Sequence, residues 1–84
     1  MDFQTFLSEF SSMAEKIFSD RNEAKAPAKA KAWCDVCIYD IKAGKYSPES
    51  VIRAMERLQR SDRRFLSLSD LMDEIKQERF MEVG

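Results

Sequence analysis

The chain has 84 residues with two Gly, two Pro, two Cys and no His; 44% are hydrophobic, 35% are charged, and the formal net charge is −1. That length fits one domain, residues 1–84, and leaves no room for a second domain or a cleft between lobes. So few Gly and Pro exclude a sandwich or barrel, and near-neutral charge gives no global attraction to nucleic acid or membrane.

The apolar spacing predicts an all-α domain of four helices, at about 2–20, 25–43, 47–60 and 67–80. In the first, Phe3, Phe6, Leu7, Phe10, Met13, Ala14, Ile17 and Phe18 recur at steps of three and four. They fall within an arc of roughly 140° that excludes every strongly polar residue. Arg21-Asn22-Glu23 then reads as a short polar link. The second helix begins in a stretch rich in Ala and Lys, with Pro27 where a first turn accepts it, and ends before Gly44. Ala30, Trp33, Cys34, Cys37, Ile38 and Ile41 form its apolar face.

Ser47-Pro48-Glu49 opens the third helix: a hydroxyl to cap free N–H groups, a proline at the first helical position and a carboxylate at the positive end of the dipole. Val51, Ile52, Met55 and Leu58 face inward, and residues 61–64 break the helix. The fourth begins near Ser67 or Ser69, where Ser67 and Asp70 resemble a capping box. Its stripe is Leu68, Leu71, Met72 and Ile75, with Phe80, Met81 and Val83 beyond that face.

Trp33-Cys34-Asp35-Val36-Cys37 resembles a thiol-redox spacing, but such a pair needs a strand before it and a helix N-terminus at its first sulfur. Here both thiols fall inside a helix on its apolar face, where free Cys packs as a small hydrophobe. No metal is expected, because there is no His and no second Cys pair to complete four ligands. Without His the commonest general base is missing, and there is no Gly-rich phosphate loop, so neither catalysis nor a cofactor is expected.

On a helix extended past residue 60, Arg53, Arg57, Arg60 and Arg64 make one stripe opposite Val51, Met55 and Leu58, with Arg63 beside it and Lys45 near the helix start. Such a row grips phosphates or an acidic protein surface. The plainer alternative is a solvated face tempered by Glu49 and Glu56. The fourth helix carries the opposite sign in Asp70, Asp73, Glu74 and Glu78; it is expected to be simply exposed, the alternative being pairing with basic residues of another molecule or of a second copy. Tyr39, Val36 and Phe80 lie off the main faces. They are expected to cover a second side of the core, the alternative being an exposed apolar contact for a partner.

Trp33 on a helix, Ile41 and Tyr46-Ser47 near the turn, Val51 and Ala54 on the next helix, then Phe65-Leu66-Ser67-Leu68-Ser69-Asp70-Leu71 follow one another in an order that resembles the folded domain of small phage helicase loaders and inhibitors. The likeness spans residues 33–75. It implies a helical protein that binds a replicative helicase during replication initiation. The family's counterpart of residues 65–71 usually carries a proline, which is absent here. Family loaders also place a flexible, helicase-engaging segment after the domain, whereas this sequence stops at Gly84. The resemblance therefore implies blocking or occupying the helicase rather than delivering it.

The leading expectation is a small, non-enzymatic, phage-type regulator that binds a replication protein, first a ring helicase, with Arg53, Arg57, Arg60 and Arg64 as the partner-binding residues. A second is an inhibitor of a host defence or nucleic-acid enzyme, anti-CRISPR-like, whose Asp70, Asp73, Glu74 and Glu78 imitate nucleic-acid charge. A third is direct nucleic-acid binding by the arginine row, against which the net charge counts. No apolar run of about 18 residues predicts a membrane span. Met1-Asp2-Phe3-Gln4 lacks the basic and apolar regions of a signal peptide, so a cytoplasmic protein with reduced cysteines is expected.

Overall fold

A computed structural model describes residues 1–22 and 24–83, with residues 79–83 described by their helical backbone. The described residues form helices α1 (Phe3–Asp20), α2 (Ala26–Lys42), α3 (Pro48–Arg60) and α4 (Leu68–Val83), and no strand. Each lies within about three residues of its expected bounds.

The ends are set by local chemistry. Asp2 caps α1, its Oδ1 accepting the Thr5 N–H at 2.7 Å. Asn22 closes that helix in the left-handed region at φ 55°, a conformation Asn tolerates better than most residues. Gly44, at φ 79°, ends α2: its N–H reaches the Ile41 carbonyl and that of Lys45 reaches Asp40, each at 3.0 Å, which is the Schellman closure. Ser47 caps α3 by accepting from the Ser50 N–H at 3.2 Å, and Pro48 fills the first helical position. Ser67 and Asp70 cap α4 reciprocally: Asp70 Oδ2 accepts the Ser67 N–H at 2.8 Å, and Ser67 Oγ accepts the Asp70 N–H at 3.4 Å.

α1 packs against both α2 and α3, and α4 packs against α3. The heart of the core is the α1 stripe, where Phe6, Phe10, Ala14, Ile17 and Phe18 are fully buried. Phe18 meets Trp33 of α2 edge to face at 4.9 Å, and the Lys29 ammonium lies 5.0 Å from the Phe18 ring centre. Val51, Ile52, Met55 and Leu58 of α3 are buried as their spacing predicts, with Ala54 added to them. Leu71 and Ile75 anchor α4, while Leu68 and Met72 are half-buried at its margin.

Tyr39 departs from the expectation: it is 73% exposed and covers no second side of the core, because α2 turns its Trp33–Cys37 face to α1 and carries Tyr39 outward. Val36 is half-buried. The side chains of Phe80, Met81 and Val83, and the linker residue Glu23, lie outside the described residues.

Arg21 joins the C-terminal ends of α1 and α3. Its guanidinium donates to the carbonyls of Ile17 and Leu58 at 3.1 Å each, and to those of Ser61 and Arg63 at 2.8 Å each. Two helix C-termini bring together their unsatisfied carbonyls and the negative ends of their dipoles, and one fixed cation neutralises both. Hydrogen bonds from a charged donor are stronger than neutral ones. Arg21→Ala is expected to destabilise the fold by about 3 kcal/mol in chemical denaturation, a large part of what so small a domain possesses. Arg21→Lys should recover less than half of that loss, since an ammonium lacks the planar fork.

Candidate functional site

The four arginines singled out by spacing do not stay together. α3 ends at Arg60, and the next residue, Ser61, is extended at ψ 143°, so Arg64 lies in the following loop rather than on the helix. This breaks the continuous stripe.

Arg53 and Arg57 turn onto α4. Arg53 Nε donates to Glu78 Oε2 at 2.8 Å, and Arg57 Nε donates to Glu74 Oε2 at 2.7 Å. Arg57 also donates to the Glu74 carbonyl at 2.8 Å and pairs through Nη1 with Glu78 Oε1. The two arginines stand four apart on α3 and the two glutamates four apart on α4, so the facing pairs lie in register. Glu78 is only 5% exposed, which corrects the expectation of a mostly solvated acidic helix. An ion buried to that degree stays charged only with partners, and two guanidinium groups supply them. The hydrogen bond from Arg57, with the further contribution of Arg53, holds the Glu78 carboxyl below the ordinary glutamate value of 4.5.

Arg60 and Arg64 are exposed, and among the described residues no carboxylate pairs with either. Arg63 pairs with Asp70 at the start of α4. The backbone hydrogen bond from Ser67 is the largest influence holding the Asp70 carboxyl below its usual range. Beside these arginines Phe65 is 73% exposed, whereas the next residue, Leu66, is 2% exposed and seated in the core. An open groove of about 670 Å³ runs along this loop; its lining, from Asp20 and Arg21 to Gln59 and Arg64, is polar except for Phe65.

The interior offers little reactivity. Cys37 is fully buried, and burial pushes its thiol pKa up to about 12. Burial likewise raises Cys34. The Tyr46 hydroxyl donates to Asp40 Oδ2 at 2.8 Å, and burial raises its pKa too. Neither cysteine has the exposure or the neighbouring cation that makes a thiolate nucleophile. Among the described residues no group of three or more Cys, Asp or Glu is placed to hold a metal ion. No described helix is long and apolar enough to cross a membrane.

Arg21 and Phe65 were missed by spacing. An Arg directly after a helix end is a known partner for the last carbonyls, so half of Arg21's role had a local signal; its reach to Leu58, Ser61 and Arg63 had none. The Arg53/Arg57 and Glu74/Glu78 spacing was visible but could not say that the two faces meet.

Comparison with models of known protein families, with curated proteins and with solved structures finds no match to this chain.

Arg57→Ala strips Glu78 of one of its two cations and is expected to cost about 2 kcal/mol of stability, while Arg60→Ala should change it by less than about 0.5 kcal/mol. Because the Glu78 carboxyl is lowered in the fold, its contribution is complete above the ordinary value of 4.5 and disappears as pH falls through the folded value. Urea midpoints measured against pH should therefore drop on the acid side, and Glu78→Gln should flatten that drop. Ellman's reagent at neutral pH is expected to label the native thiols at least about a hundredfold more slowly than the unfolded chain.

Proposed function

We propose that this chain is a small non-catalytic regulator that works by binding another protein. The observation that carries this reading is Phe65, held out into solvent among arginines on a loop whose neighbours are fixed. An exposed aromatic side chain beside arginines on one groove is the composition of a protein–protein hot spot. The buried, protonated thiols and the absence of His weigh against chemistry by the chain itself.

Among partners, the ring helicase of a phage-type replication system stands first, on the likeness of residues 33–75 to phage helicase loaders and inhibitors. Binding there would modulate the helicase, and such a partner fits a cytoplasmic protein. The arginines that serve this reading are Arg60 and Arg64, with Arg63. Arg53 and Arg57 serve it indirectly by fixing α4. The acidic-mimic alternative has less support, since Glu74 and Glu78 are already paired with arginines inside the fold. Direct nucleic-acid binding has less support for the same reason in reverse: half of the arginine row is neutralised internally.

Mixing the purified chain with a phage-type hexameric helicase tests the proposal. Co-elution in gel filtration with a dissociation constant of about 1 μM or tighter, and slowed unwinding of forked DNA, is the expected result. Separate elution at tens of micromolar together with unchanged unwinding would remove the helicase from the argument.

A further inference from the structure

We propose that the loop of residues 61–65, held in place by Arg21, is a docking site for an acidic protein segment that lays an apolar side chain against Phe65. This rests on the protein-binding reading above and names the surface and the chemistry of the partner.

The loop is built to present Phe65. Upstream, Arg21 donates to the carbonyls of Ser61 and Arg63 at 2.8 Å each, and Ser61 Oγ accepts the Arg63 N–H at 3.2 Å. Downstream, Leu66 is locked in the core. Phe65 lies between two fixed points, so its exposure follows from the backbone on either side. A loop already ordered before contact loses little conformational entropy on binding.

The charges select the partner's class. Arg64 lines the groove and is exposed, Arg63 beside it keeps most of its surface in solvent despite its contact with Asp70, and Arg60 is exposed on the last turn of α3 outside the groove. Guanidinium forks match carboxylates two hydrogen bonds at a time. Asp20 and Asp62 line the same groove. A phosphate chain has a charge at every step and must place some of them beside these aspartates. A peptide can space its carboxylates to meet the arginines and leave neutral residues opposite the aspartates. The mixed-sign lining therefore favours protein over nucleic acid.

The probe is a fluorescein-labelled Glu-rich peptide with a central Leu-Phe pair, titrated by anisotropy against the full chain. Its Gln-for-Glu counterpart and an oligothymidylate of equal length serve as comparisons. The Glu peptide should bind at least about tenfold tighter than the Gln peptide. Arg64→Glu and Phe65→Ala, both at exposed positions, should each weaken it about tenfold, whereas Tyr39→Ala should leave it unchanged. Arg21→Lys should weaken it several-fold; if that variant unfolds, the two loop variants still decide. Equal affinity for both peptides, no binding of the Glu peptide, or no effect of Phe65→Ala would overturn the proposal. Tighter binding of oligothymidylate would assign the loop to nucleic acid instead. Helicase binding that survives Phe65→Ala would sink this loop alone, while a wild-type chain that binds no helicase but binds the Glu peptide would sink only the choice of helicase.

Discussion

Two helices whose C-terminal ends meet create an electrostatic problem, because each presents unpaired carbonyls and the negative pole of its dipole to the other. The Arg21 guanidinium solves it by donating to the last turns of α1 and α3 and then to two carbonyls of the loop beyond. The consequences run through the rest of the molecule. With α1 and α3 fixed end to end, the aromatic stripe of α1 has a stable wall in Val51, Met55 and Leu58. With the carbonyls of Ser61 and Arg63 held, the chain leaves α3 in one direction, and that direction sets where Phe65 points and where α4 begins.

α4 is held differently. Among its described residues Leu71 and Ile75 enter the core, with Leu66 just before the helix and Leu68 and Met72 packed at the margin, and an ion-pair ladder extends the contact with α3. Pairs like these contribute little when fully solvated, but Glu78 is almost entirely shielded by its partners. Removing one partner therefore harms more than the pair itself helps. The ladder also carries specificity: it fixes the rotation of α4 about its axis by requiring two glutamates to face two arginines.

The ladder sorts the arginines by role. Arg53 and Arg57 are internal fasteners, while Arg63 and Arg64 line the groove with an exposed aromatic ring and Arg60 is exposed at the end of α3. Tyr39, equally far into solvent, sits on α2 away from these arginines. At the groove an exposed aromatic ring and outward-facing arginines lie on one loop, and the proposed function rests there.

Much of the fold was legible because it depends on neighbours along the chain. The α1 periodicity, the Ser47-Pro48 opening of α3, the Ser67–Asp70 box and Gly44 at the end of α2 all act within a few residues, so order in sequence carries the information. The positions of the arginines were legible as residues but not as a site. Whether a guanidinium meets water, a carbonyl or a carboxylate depends on which faces come together across the fold, and a row on one helix has no local signature of the helix it will meet. The same holds for Phe65 and Leu66, adjacent apolar residues of which one is buried and one exposed. The sequence by itself determined four helices, their caps and an α1-centred core, through short-range hydrogen bonding and hydrophobic period. Only the tertiary structure decided which arginines bind inward and which remain outward, because that follows mainly from contacts between residues 17 to 42 positions apart, where charge and packing act through space rather than along the backbone.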